Sequence, residues 1–241
     1  MLIKELFLEA SKYAASDWKK FIFLGIIFVA IDLLDHQTAE TIMPEYVWYL
    51  LIVLIIILLF ISTGYLFRII ETSVDGSDQL PPFNNLLQLF KHGVKDSTVV
   101  FIYMFIPLML LVVSTGLILI YFGDNGSIKF PLEIILISII LGIFLFTLLQ
   151  GAILNMAHNN GKFRAAFDFK SLIGKIRDVG LKKFLIVCFL TALIFLIVEP
   201  FILEDIRGSA DSVGGTIIEM IAAPYLAILT SRFLGIMGRR Q

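Results

Sequence analysis

The chain has 241 residues, 59% of them hydrophobic and only 16% charged, whereas soluble globular chains hold about 45–50% and about 25%. A formal net charge of -1 gives no overall basic balance for binding nucleic acid, and one cysteine, Cys188, excludes an internal disulfide framework. What remains is an all-α polytopic membrane bundle, one integral membrane domain over residues 1–241.

Residues 2–14 set Leu2, Ile3, Leu6, Phe7, Ala10, Tyr13 and Ala14 at helical spacing, with Lys4, Glu5, Glu9 and Lys12 between them. That pattern predicts an amphipathic helix lying in the headgroup region. Asp17 is placed to cap the next helix, with Trp18 at the interface and Lys19–Lys20 in water. A first span then runs to about Leu34. Glu5 and Glu9 interrupt the basic flank, and residues 35–45 lack a small-residue cleavage site, so this segment reads as a retained span.

The strongest span follows, from Tyr46 to Arg68. Val47 to Ile61 is an unbroken apolar run of fifteen residues, enough with its continuation to cross a hydrocarbon layer about 30 Å thick. Residues 71–96 are polar, with Asp75-Gly76 as a turn, Leu80-Pro81-Pro82 as a stop, and Phe83, Leu86, Leu87 and Phe90 as a second interfacial helix. Gly93-Val94-Lys95-Asp96 leads into a third span, 97–122, carrying Pro107. The fourth runs from Pro131 to about Met156. Around Phe167, Leu172, Ile173 and Ile176 lies a third interfacial stretch, before a fifth span, 184–201, and a sixth, 216–236.

The layout suggests a threefold hairpin pseudo-repeat with units 1–70, 71–156 and 157–236 and a basic tail, 237–241. Gly64 and Gly151 are 87 residues apart, as are Gly93-Val94-Lys95 and Gly180-Leu181-Lys182. Six spans put both termini and both long connections on one side. Of the 19 Lys and Arg residues, all but Lys129 and Arg207 fall there. This asymmetry predicts cytoplasmic termini, and anionic lipid headgroups become expected partners of the interfacial helices. The bland alternative is that the charges only record insertion topology.

Gly64-Tyr65-Leu66-Phe67-Arg68, Asp75-Gly76, Leu80-Pro81-Pro82-Phe83, Phe90 and Gly93, with Asn159-Asn160-Gly161 and Ala166-Phe167 later, resemble an uncharacterised family of multi-pass membrane proteins. That family is found mainly in archaea and is classed as a domain of unknown function. The resemblance implies a helical bundle in a cytoplasmic membrane and supplies no substrate or catalytic residue.

Polar groups inside spans need partners or a role. Glu219, within the sixth span, is the first candidate for a functional intramembrane acid, with Glu199 the candidate to pair with it across the bundle. Thr147, Gly151 and Asn155, with Gln150 adjacent, make a small polar face on the fourth span; Ala223, Ala227, Ser231 and Gly235 make another on the sixth. These faces serve close helix packing or a polar pathway with Arg68, Asn155 and Arg232 at its cytoplasmic mouth. His36, His92 and His158 are isolated, and no phosphate loop, dinucleotide fingerprint or hydrolase elbow occurs, so no cofactor, metal or catalytic residue is expected. Three functions stay open: transport or permeation of a lipid or small solute; a non-catalytic scaffold, partner subunit or lipid-organising protein; and a lipid-modifying enzyme.

Overall fold

A computed structural model describes residues 3–40, 44–123, 129–194 and 213–239. Every long element is helical. In chain order they are α1 (Ile3–Ala14), α2 (Trp18–Glu40), α3 (Glu45–Val74), α4 (Leu86–Gly123), α5 (Lys129–His158), a 3-10 turn (Phe163–Phe167), α6 (Phe169–Val179), α7 (Leu181–Leu193) and α8 (Val213–Met237). Four helices among the described residues are long and apolar enough to cross a membrane: α3, α4 over Leu86–Ile118, α5 over Leu132–His158, and α8 over Met220–Met237. Helix α2 has 23 residues, about 34 Å of helix. It buries Phe21, Leu24 and Ile27 while Ile22, Phe23 and Ile26 face outward. The end of the predicted fifth span lies outside the described residues.

The packing is that of a protein solvated by lipid. Leu50 and Val53 on α3, Phe101 and Ile106 on α4, and Ile140 and Ile143 on α5 all point outward. Polar side chains turn inward instead: Ser138 is buried and donates to the Pro107 carbonyl across the α4–α5 contact at 2.6 Å. In hydrocarbon this is the economical arrangement, because lipid competes well for apolar surface and not at all for a hydroxyl.

Two expectations for α4 need correcting. The predicted interfacial helix around Phe83–Phe90 and the predicted third span at 97–122 form one helix of 38 residues, about 57 Å long. Gly93 does not break it. Its bare backbone lies against the Phe60 carbonyl of α3, while Gly64 of α3 lies against the Leu89 carbonyl of α4. A glycine held by close backbone approach stays helical, and Gly93 has none of the left-handed φ that a terminating glycine commonly adopts. Gly180, its counterpart in the proposed repeat, does adopt φ 93° and separates α6 from α7. The two positions therefore share spacing but not conformation.

Helices α3, α4 and α5 are longer than a bilayer is thick, and most of the buried core gathers at one end of them, along the last turns of α3 and α5 and the first half of α4. There α1 packs on α8, the 75–85 connection is hydrogen-bonded by α1, α2, α3 and α8, and the 159–168 connection lies between α4 and α5. The expected Asp17 cap is present: its carboxylate accepts from the Lys19 and Lys20 amides and pairs with the Lys20 ammonium at 3.0 Å. Helix α1 buries Leu6, Ala10, Tyr13 and Ala14 but leaves Phe7 and Leu8 outward.

Candidate functional site

The polar side chains near the ends of α3, α5 and α8 hold the connections between helices. Arg68 donates to the Pro82 carbonyl at 3.0 Å and to the Asn84 carbonyl and side-chain oxygen at 2.9 Å. Tyr65, one turn earlier, donates to the Pro81 carbonyl and stacks on Phe83 with centroids 3.6 Å apart. A Pro-Pro segment offers carbonyls without matching N–H groups, and these two side chains satisfy them. Asn155 does the same for the second connection: fully buried, it donates to the Ala165 carbonyl at 2.8 Å and accepts from Ser171 at 3.1 Å. Arg68 and Asn155 are 87 residues apart, and both fasten the connection that follows their own helix.

Arg232 is the centre of the described end. Its side chain is 1% exposed, yet its guanidinium donates to Ser73 Oγ at 2.9 Å, the Ser77 carbonyl, Glu9 Oε1 at 3.0 Å and Asp78 Oδ1 at 2.7 Å. The Tyr13 ring lies under it, 4.1 Å from guanidinium carbon to centroid. Burial raises the Tyr13 phenol above its usual value against the opposing pull of Arg232, which keeps the ring neutral beneath the cation. Arg239 joins the same two carboxylates. Two arginines and two acids therefore tie α1, the first connection and the end of α8 into one unit.

Of the residues expected to form a pathway, Arg68 and Arg232 meet the first connection from different sides, and Asn155 stands apart at the second. Gln150 is half-buried on α5 and makes no hydrogen bond among the described residues. Glu199 and the side chain of Glu219 lie outside the described residues. Gly151 is filled against by Leu172 and Ile176 of α6, and Gly235 by Ser73 of α3, so both small-residue faces pack helices at these points.

Glu9, Asp78 and Arg239 are the members of this cluster that sequence periodicity missed. Glu9 sits on the buried stripe of α1, three residues after Leu6 and four before Tyr13, and an acid at such a position signals a cation on the element opposite.

Beside this cluster lies a groove of about 970 Å³, toward the upper end of the roughly 300–1,000 Å³ usual for small-molecule sites. Its basic members are Lys175, Lys182, Lys183 and Arg239, with Asp178 and His158 among them. Its apolar walls come from Leu6, Val179, Ile186, Val187, Ile236 and Met237. Gly180 places Lys182 and Lys183 in the first turn of α7, where no side chain caps the helix. Lys182 and Lys183 are exposed and form no ion pair among the described residues. No metal-binding group of His, Cys, Asp and Glu occurs among the described residues.

The chain belongs to the family described as protein of unknown function (DUF4013), which it matches over residues 47–203. That stretch contains Gly64, Arg68, Asp78, Gly93, Asn155 and the groove lysines. No curated protein and no solved structure matches the chain.

Proposed function

We propose that the chain is a non-catalytic, six-span membrane protein whose basic end faces the cytoplasm and organises anionic lipid in the inner leaflet. The two spans beyond the four long apolar helices are α2 and the segment that begins as α7. The observation carrying this reading is the use made of Arg68, Asn155 and Arg232. All three hold connections in place, forming a braced platform, while Lys182 and Lys183 beside it form no ion pair among the described residues. A fixed base with available cations suits recruitment of headgroups through charge, worth about 1 kcal/mol per basic residue near an anionic surface. A transport pathway has less support, because its expected mouth residues are already engaged. Lipid chemistry has less still, with no nucleophile and base brought together among the described residues.

Reconstitution into nanodiscs of mixed phosphatidylglycerol and phosphatidylcholine tests this. The lipid retained around the protein is expected to be richer in phosphatidylglycerol than the starting mixture, with the enrichment shrinking as salt rises from about 0.05 to about 0.5 M. A boundary composition equal to the starting mixture at low salt would refute the reading.

A further inference from the structure

We infer that the groove between α1, α5, α6, α7 and α8 is a discrete site for one anionic glycerophospholipid, its phosphate held by Lys182 and Lys183 and its chains lying along the apolar walls. The inference deepens the proposed function and rests on it for the placement of this end in the headgroup layer.

Three observations converge. The groove is amphipathic: its basic residues share one cavity with Ile186, Val187, Ile236 and Met237, and a phospholipid is the common membrane component that joins an anion to hydrocarbon at that separation. Charge accounting leaves Lys182 and Lys183 for a ligand. Arg232 and Arg239 are matched by Glu9 and Asp78, and neither lysine forms an ion pair among the described residues, with Asp178 the one acid lining the cavity. The position of Lys182 and Lys183 also costs the free protein something. Cations in the first turn of a helix oppose its dipole, and the α7 amides there have no side-chain acceptor. A phosphate between them reverses both penalties. A zwitterionic headgroup brings its own ammonium toward the lysines, so phosphatidylcholine is disfavoured.

Native mass spectrometry of the full chain, released from micelles containing phosphatidylglycerol or phosphatidylcholine, reads the site directly. One tightly retained phosphatidylglycerol per chain is expected, with phosphatidylcholine lost at the same collision energy. The Lys182→Gln/Lys183→Gln double variant should weaken phosphatidylglycerol binding about thirtyfold, the equivalent of two lysine contacts. Both lysines are exposed, so the melting temperature should hold and report that the fold is intact. Lys129→Gln, expected on the opposite face, should leave affinity unchanged. Equal retention of both lipids, or unchanged affinity in the double variant, would overturn the site. Displacement of the lipid by equimolar inorganic phosphate would also overturn it, because the occupant would then be the free ion. Failure here alongside persistent anionic enrichment in nanodiscs removes the discrete site alone; loss of that enrichment as well removes the broader reading.

Discussion

Arg232→Met is expected to destabilise the protein by about 3 kcal/mol, lowering the melting temperature in detergent by roughly 6–12 °C. The side chain is 1% exposed and is the common partner of Glu9, Asp78, Ser73 and the Ser77 carbonyl. Methionine fills much of the volume but leaves two carboxylates facing one arginine, Arg239, and leaves the Ser77 carbonyl without its donor. Removing one side of a buried ion pair costs about 3–5 kcal/mol. The lower end applies because Asp78 is 76% exposed, and water recovers part of its hydration. Adding Glu9→Gln to Arg232→Met should restore several degrees, since the uncompensated charge is then gone. A loss under about 2 °C for the single variant, or no recovery in the double, would contradict the assignment of Arg232 as the keystone of this end.

Gly93→Leu is expected to cost about 3 kcal/mol or more, enough to reduce folded yield sharply. A Cβ at this position meets the Phe60 carbonyl and Thr63 Oγ1 of α3. The nearest obstacle is backbone in the middle of a helix, which cannot rotate away, so α3 and α4 must separate. Overpacking costs about 1–3 kcal/mol where side chains can adjust, and the total exceeds that range where they cannot. Separating the helices also pulls Gly64 from the Leu89 carbonyl, so a single substitution loosens the crossing on both sides. Gly116→Leu in the same helix is the matched control. Nothing lies within 4 Å of a Cβ there, and leucine is the better helix former, so stability should hold or rise slightly. Equal losses at Gly93 and Gly116 would mean that the close approach to Phe60 does not set the cost.

How far the sequence discloses these features follows from the range of each interaction. Apolar runs such as Val47–Ile61 are local, and their length against bilayer thickness identifies spans directly. Local turn chemistry is equally readable: Asp17 caps α2, and Gly76 and Gly161 adopt positive φ in the two connections. Gly93 marks the limit of such reading. A helix stop and a close helix crossing both favour glycine, and only the position of Phe60 on another helix separates them. The Arg232 cluster lies further out of reach, for Arg232 and Glu9 are 223 residues apart. Periodicity on α1 groups Glu9 with the other polar residues of that helix, and only the fold turns it toward Arg232. The groove is less legible again, since five elements contribute to it and none of them carries a recognisable binding motif by itself.

The spatial gathering of α1, both connections and the end of α8 is a property of the fold; its cytoplasmic placement is the claim on which the lipid reading turns. Cys188 is the only cysteine, so a Cys188→Ala background allows single labels at exposed positions in three segments: Lys12→Cys, Lys91→Cys and Lys170→Cys. The decisive measurement is reaction with a membrane-impermeant maleimide in sealed right-side-out and inside-out vesicles. All three sites are expected to react in inside-out vesicles and to stay protected in right-side-out ones. Any one of the three reacting from the opposite face to the others, or all three reacting only from outside, would contradict the account.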